Sequence, residues 1–366
     1  MKSILLAVTN DLNSDQRMWR ICSSLQEAGY QVSLIGRELP ESRPLPQRPY
    51  TQYRMPLWFS KGPLFYLEYN ARLLLYALGS KADAYCAVDL DTLPALFGAS
   101  RLRVRPLCYD AHEIFTEVPE LEPGGLKQRI WQKIEAFLLP KIAFAYTVNH
   151  SLALWYQQKH GIQMEVVRNM PFAKPFQAQA HEGFVLYQGA LNAGRGLAEL
   201  LSAAPQLPFP VIIAGKGDLE HWLSNEIESR GLNQKVKMIG QLDPEALQRL
   251  TQKAWIGVNL LEAGSLNYYY SLANKFFDYV QAGIPQVGMD YPEYRLLNDE
   301  YEVSVLVPEL SAQAVVEAIN TLYDQPEKYA RLQQMSRLAA EKWTWEQEKN
   351  KLLKVYERLF AASSLR

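Results

Sequence analysis

The sequence predicts an α/β protein made of two successive doubly wound parallel sheets, and three observations carry that expectation. Short apolar runs alternate with amphipathic stretches of helical period along nearly all of the 366 residues. The alternation lapses near residues 171–182, which hold two prolines among Gln, Ala and His, and then restarts. The length also suits two domains of roughly 150–190 residues rather than one. Strand-helix-strand alternation requires a parallel sheet covered by helices on both faces.

In the first half, residues 4–8, 32–35, 84–88, 106–109, 143–148 and 164–167 read as strands buried on both faces. Residues 15–28 and 125–139 have the period of helices that cover them. Residues 38–64 carry many prolines and arginines with little periodicity, so an irregular excursion or lid is expected there. In the second half the strands fall at 184–188, 210–214, 236–239, 255–260 and 286–289. One helix between them is announced by Asp243-Pro244, an N-cap followed by a first-turn proline. Beyond Leu310 the chain reads as helix at 311–323, 326–341 and 345–360, with Trp343 and Trp345 packing to anchor the last. The expected organisation is a first domain over 1–170, a linker over 171–182 and a second domain over 183–344. A C-terminal helix over 345–366 is long enough, at about 1.5 Å per residue, to return to the first domain.

Composition narrows the function classes. Hydrophobic residues make up 48% and charged residues 21%, as in a soluble globular protein. No apolar run approaches the ~20 residues of a membrane span, and the first eight residues read as a buried strand rather than a signal peptide. Cys22, Cys86 and Cys108 lack metal-ligand spacing, so a reducing cytoplasm and no disulfide are expected. A net charge of −1 argues against nucleic acid as a partner.

The segment Ser271-Leu-Ala-Asn-Lys-Phe-Phe-Asp-Tyr-Val-Gln-Ala-Gly-Ile-Pro285 is the most informative. It reads as a helix starting near Asn274 and stopping at Gly283. Asn274 and Asp278 stand one turn apart, with Lys275 in reach of Asp278. A helix start offers free N–H groups to phosphate, and a carboxylate one turn deeper can accept hydrogen bonds from ribose hydroxyls. The competing reading is a buried amphipathic helix with one surface ion pair.

Four loops at strand ends add to this. Gly189-Ala-Leu-Asn-Ala-Gly-Arg-Gly196 sets Arg195 between glycines, where guanidinium and backbone can both approach a diphosphate; it lacks the G-x-G-x-x-G spacing. Gly215-Lys-Gly-Asp218 is a second glycine turn, with Lys216 at its tip either a ligand or a solvated lysine. Asp110-Ala-His-Glu113 places His112 between acids at a strand end, a candidate for touching a sugar or reacting oxygen. Thr9–Asp15 is polar rather than glycine-rich and suits an acceptor, although Ser14 or Asp15 can equally cap the next helix. The helix over 127–139 sets Ile130, Ile134, Phe137 and Leu138 on one side, with Lys127, Arg129 and Lys133 around them. It reads as an ordinary sheet-covering helix, with a membrane-surface helix as the alternative.

With these pieces in order, the chain resembles the retaining glycosyltransferases of family 4 over nearly its whole length. The likeness rests on the opening at 14–32, Tyr109-Asp-Ala-His-Glu113, Val167-Arg-Asn-Met-Pro171, Gly189 with Arg195-Gly196, Ala214-Gly-Lys-Gly217, and Asn274-Lys-Phe-Phe-Asp278 with Ala282-Gly-Ile-Pro285. The resemblance implies the GT-B fold: two Rossmann-like domains facing a cleft, with the nucleotide sugar on the second and the acceptor on the first. It implies a nucleotide-diphosphate sugar as donor substrate, no cofactor and no metal, and a glycan or lipid-linked acceptor in envelope polysaccharide or glycolipid synthesis. A cytoplasmic location follows, with peripheral contact at the inner membrane face left open. Carried over by position, Asp278 is similar to the ribose-binding acid, Arg195 to the basic residue of the phosphate loop, and His112 to the histidine near the transferred sugar.

Two positions depart from the family pattern. A second Glu is common eight residues before the ribose acid, where this chain has Tyr270, and a further Arg is common where Ala190 stands. Glu262 and Lys275 are the candidates to supply what is lost. The expected set is therefore His112, Arg195 and Glu262 for catalysis, and Gly189, Arg195, Gly215, Lys216, Asn274, Lys275 and Asp278 for the donor. Two other readings stay open: a nucleotide-sugar epimerase of related fold, and a noncatalytic partner that has kept the fold.

Overall fold

The computed structural model describes residues 1–13, 15–118, 121–173 and 181–363. Most of the linker expected over 171–182 therefore lies outside the described residues. The chain divides into two compact units, Met1–Asn169 with Gln347–Arg366, and Met170–Glu346.

The first unit holds a seven-stranded sheet whose strands are β1 Ser3–Ala7, β2 Gln31–Arg37, β3 Thr51–Met55, β4 Ala84–Val88, β5 Leu107–Ala111, β6 Phe144–Thr147 and β7 Glu165–Val166. Their order is β3-β2-β1-β4-β5-β6-β7 and every pairing is parallel. β4 and β5 are buried along their whole length, as strands covered on both faces must be. The second unit holds β8 Val185–Gln188, β9 Val211–Ala214, β10 Val236–Gly240, β11 Ile256–Asn259, β12 Gln286–Met289 and β13 Ser304–Val307, ordered β10-β9-β8-β11-β12-β13 and again all parallel. In each sheet the order reverses once, between β1 and β4 and between β8 and β11. Loops leaving the carboxyl ends of the strands diverge there and leave room for a ligand.

Two segments differ from the expectation. The excursion over 38–64 contains β3, an edge strand with alternating exposure, and the start of the helix Gly62–Gly79. Its residues Thr51-Gln-Tyr-Arg-Met55 carry polar side chains that an edge position tolerates and that conceal the strand from a search for apolar runs. β13 is hidden in the same way by its brevity and by the polar stretch before it. Elsewhere the local signals act as read. Asp15 caps the helix Gln16–Glu27, its Oδ1 accepting the Met18 N–H at 2.9 Å; Ser14 lies outside the described residues. Asp243 caps Pro244–Lys253 through the Ala246 N–H at 2.8 Å.

The last helix, Trp345–Ser363, packs within the first unit from Gln347 onward. Leu352, Tyr356 and Leu359 are fully buried. The Phe360 ring stacks on Tyr30 at 5.4 Å, and Tyr146 and Tyr356 share a hydroxyl contact of 3.4 Å. Ion pairs at the rim join Lys349 to Glu27 at 2.5 Å and Arg358 to Glu165 at 2.8 Å; exposed pairs of this kind contribute little beside the apolar contacts. Among the described residues no helix is long and apolar enough to cross a membrane. Truncating Leu352 to Ala is expected to destabilise the first unit by about 2–5 kcal/mol, read as a lower urea midpoint for that unit; an unchanged midpoint would show that the helix adds nothing to this core.

Candidate functional site

In the second unit, β8 ends in Gln188, and Gly189 follows with φ +125°, a conformation that disfavours side chains. The turn after β9 lies directly against it, so that a Cβ on Gly215 would run into the Gly189 carbonyl. The two loops are stitched by main-chain bonds: the Leu191 N–H donates to the Lys216 carbonyl at 3.1 Å, and the Leu219 N–H to the Leu191 carbonyl at 2.8 Å. The two turns thus meet backbone to backbone.

The helix Asn274–Ala282 adds the charged groups. Its N-cap is Ala273, which offers no side-chain acceptor to the first-turn N–H groups, and it ends at Gly283 in the left-handed region. Lys275 is only 7% exposed. Its Nζ stands 3.8 Å from the centre of the Tyr187 ring and has no hydrogen-bond partner. A Cβ on Gly189 would come within 3.3 Å of Lys275 Cε, so the two residues share one wall. Burial drives the Lys275 pKa well below its ordinary value; the Arg195 guanidinium pushes the same way, and Asp278 opposes them incompletely. The ion pair of the competing reading does not form between Lys275 and Asp278. The side chain lies on Tyr187 instead, so it is no surface lysine either.

Arg195 stacks on Tyr268, with Cζ 4.9 Å from the ring centre, and its Nε is buried without a partner. Tyr268 Oη donates to the Ala193 carbonyl at 3.2 Å, which fixes the ring against the loop that carries Arg195. Two cations thus share one wall, repel each other and lack counterions. Unpaired charge is costly away from water, and an anion with several oxygens would relieve it. Asp278 is oriented separately: Gln188 Nε2 donates to its Oδ2 at 3.0 Å, and Thr251 Oγ1 donates to Gln188 Oε1 at 2.7 Å.

The other expected donor-side residues are placed unequally. Asn274 is exposed at the helix start, and the Lys216 side chain is exposed at the tip of its turn. Glu262 is exposed too, yet its N–H donates to the Gly194 carbonyl at 3.0 Å. It borders a cavity of about 240 Å³ that also touches Arg195, Leu219 and Trp222.

His112 belongs to the first unit, at the end of β5. Its Nε2 lies 3.0 Å from Asp110 Oδ2 and its Nδ1 3.6 Å from Asp89 Oδ2, and its N–H donates to Asp89 Oδ1 at 2.7 Å. Burial pulls the His112 pKa down, but Asp110 and then Asp89 outweigh it and raise it to about 9. Asp110 is fully buried, and Arg17 Nη2 donates to its Oδ1 at 2.9 Å. Burial would lift the Asp110 pKa, and the charges of Arg17 and His112 hold it below the usual range. Asp89 opens the helix Asp89–Arg103 with φ +55°, in the left-handed region that side chains rarely adopt. Its carboxyl is raised to about 8, by burial first and then by the neighbouring Glu113 and Asp91. These loops leave β4 and β5 beside the first sheet's switch point.

The structure therefore gathers Gly189, Arg195, Gly215, Lys275 and Asp278 in one unit and His112 in the other. The sequence reading overlooked Tyr187, Gln188 and Thr251 in the second unit, and Arg17 and Asp89 in the first. Asp89 had a usable signal, being the residue immediately after a strand of five apolar positions. Arg17 was concealed as one more polar residue in an amphipathic helix.

Comparison with known proteins agrees with this geometry. Residues 14–173 match the family described as glycosyl transferase 4-like domain, and residues 172–339 match glycosyl transferases group 1. With both halves present in order, the chain is a glycosyltransferase of the GT-B fold. Its fold is similar to that of sucrose-phosphate synthase from Thermosynechococcus elongatus, with a TM-score of 0.81 at 17% identity over 99% of this chain and 100% of that one. HepE of Anabaena, solved in complex with UDP-glucose, aligns with a TM-score of 0.76 at 14% identity over 98% of this chain and 100% of that one. A glycosyltransferase from Rickettsia africae gives 0.73 at 12% identity over 98% of each chain. No curated protein matches the sequence.

The His112 pairings predict a pH dependence of stability. A histidine whose pKa rises on folding contributes fully below its unfolded value, near 6.5, and loses that contribution as pH climbs through about 9. The loss of thermal stability in His112→Gln should accordingly be largest near pH 6 and shrink toward pH 10. A difference independent of pH would mean that the histidine is not held as the cation.

Proposed function

We propose that the chain moves a sugar from a nucleoside-diphosphate donor to a glycan or lipid-linked acceptor with retention of anomeric configuration, in the synthesis of an envelope polysaccharide or glycolipid. The observation that carries this reading is the buried, unpartnered ammonium of Lys275 beside Arg195, at a helix start without a side-chain cap. A diphosphate matches two cations at the positive end of a helix. Asp278, one turn deeper, accepts hydrogen bonds from the ribose hydroxyls. The complex of HepE with UDP-glucose supports a nucleotide-sugar donor for this chain as well.

No side-chain nucleophile is required. As the bond between anomeric carbon and diphosphate oxygen breaks, charge grows on the leaving oxygens, and Arg195, Lys275 and the helix start stabilise it. The acceptor hydroxyl attacks from the face the diphosphate leaves, and its proton passes to the departing oxygen. Glu262 serves the sugar's hydroxyls from the loop after β11, and His112, held as a cation, serves the transferred sugar from the acceptor side.

Contact with a membrane surface is supported by a detail of the helix Leu126–Leu138. It buries Gln128, Trp131, Glu135 and Leu138, not the set Ile130, Ile134, Phe137 and Leu138 read from the sequence. Ile130 and Phe137 face solvent with Leu126, alongside Lys127, Arg129 and Lys133, and its only carboxylate, Glu135, is buried. Trp131 meets Tyr66 of the helix Gly62–Gly79 at 5.1 Å, and on that helix Leu64, Leu67 and Leu75 are exposed. An apolar face ringed by basic groups fits an anionic lipid surface, and the inner membrane face is where a lipid-linked acceptor would be met.

Calorimetry with a panel of nucleotide sugars tests the donor site. One nucleotide class should bind, and Asp278→Ala should lose that binding. Lys275→Met, which removes the unpartnered ammonium, should weaken it strongly as well; absence of binding by every nucleotide would sink the reading. Separately, flotation with vesicles rich in anionic lipid should carry the protein upward, less so for the pair Ile130→Ser with Phe137→Ser. Protein left at the bottom of the gradient with every vesicle would remove the membrane.

A further inference from the structure

We propose that Arg17 is a positioning residue for His112, acting through Asp110, and that Asp89 completes the frame so that Nδ1 is the ring nitrogen left to meet the substrate. This rests on the reading that His112 serves the transferred sugar, and it adds the groups that aim it.

Arg17 is 5% exposed and its planar fork reaches two acceptors. Nη1 donates to the Val167 carbonyl and Nη2 to Asp110 Oδ1, both at 2.9 Å. The fork thereby fixes the carboxylate plane from a helix and from the chain segment that leaves β7, both remote from the histidine in sequence. The two oxygens of Asp110 are each committed to a different partner. Oδ1 takes Arg17, and Oδ2 takes His112 Nε2 at 3.0 Å. The ring nitrogen Nε2 is thus engaged on the inner side. On the other side, Asp89 Oδ1 accepts the backbone N–H of His112, which pins the residue's main chain, while Oδ2 stands 3.6 Å from Nδ1. That separation is an ion-pair distance rather than a formed hydrogen bond, so Nδ1–H keeps a donor free beside a partly exposed carboxylate.

The charges around the ring are Asp110 and Asp89 in contact, Arg17 behind Asp110, and Glu113 and Asp91 behind Asp89. Arg17 offsets part of the negative charge that Asp110 presents to the imidazole and repels the imidazolium directly. It therefore moderates the histidine as well as aiming it. Lysine at position 17 would retain the charge but could not reproduce the planar two-acceptor fork, and glutamine would remove the charge.

The test uses the full chain as Arg17→Lys and Arg17→Gln, with ring-labelled histidine followed by NMR and the His112 signal assigned by its disappearance in His112→Gln. In the wild type above the titration midpoint, the ring nitrogen shifts should place the remaining proton on Nε2. In Arg17→Gln the midpoint should move upward, and in Arg17→Lys it should stay near the wild-type value. Turnover should fall on the order of a hundredfold in both, as for a misplaced group, with donor KM little changed. A proton on Nδ1 in the wild type would overturn the proposal. So would unmoved His112 midpoints in both variants alongside lost thermal stability, which would make Arg17 merely structural. If even the wild type transfers no sugar, the functional reading fails, while the NMR result still decides whether Arg17 and Asp110 set the state of the ring.

Discussion

The constraint on which the second unit depends is a buried lysine without a counterion. Lys275 could reach water only by leaving the wall formed by Tyr187 and Gly189, and the helix that carries it is packed through Phe276, Phe277 and Val280. Each of those residues fixes the helix rotation, and the rotation fixes where the ammonium points. The close approach of Gly215 to Gly189 removes the side chains that would otherwise screen or pair it. Arg195 then adds a second positive charge to the same wall, held by stacking on Tyr268 rather than by a carboxylate. A protein selected only for stability would not gather like charges in this way, because each lowers the tolerance for the other.

The first unit treats charge in the opposite manner. Arg17, Asp110, His112 and Asp89 alternate in sign, so each charge faces an opposite one inside the unit. Such a chain holds geometry and shows little appetite for an external ion. The two units share a sheet architecture with one switch point each, yet one gathers like charges and the other pairs opposite ones. That division follows from side chains at strand ends, because the sheets themselves are nearly alike in order and hand.

Much of the fold was legible because buried parallel strands announce themselves as apolar runs, and caps such as Asp15, Asp243 and Gly283 mark helix ends by local chemistry alone. β3 was not legible, since an edge strand is half polar, and its neighbours Arg43, Pro46 and Arg48 pointed to a loop. The donor-side candidates were readable from local pattern, Arg195 from the glycines that flank it in a loop and Asp278 from its place one turn into a helix. Their supports were not, since Thr251 reaches Asp278 only through Gln188, across 63 residues of sequence. Lys275 shows the limit most clearly. Spacing placed it beside Asp278, whereas its actual surroundings depend on where Tyr187 lies, and no helical period contains that information.

The departures at Tyr270 and Ala190 can be weighed on the same physical footing. Tyr270 terminates the short helix Leu266–Tyr269 and packs edge-on against Tyr269 at 5.1 Å, so the position is committed to holding this loop. Ala190 presents its carbonyl to Tyr187 Oη at 2.7 Å, which steadies the ring under Lys275. The side chains absent at these two positions would have added one negative and one positive group near the donor. In this chain the positive charge is supplied from the helix, by Lys275, with the backbone of Ala190 supporting the ring beneath it. The positive charge of this wall is thereby retained while its origin shifts from a loop to a helix, a more rigid support. Loss of the family's residues at these positions is therefore a weaker argument for lost activity than the sequence pattern alone would make it.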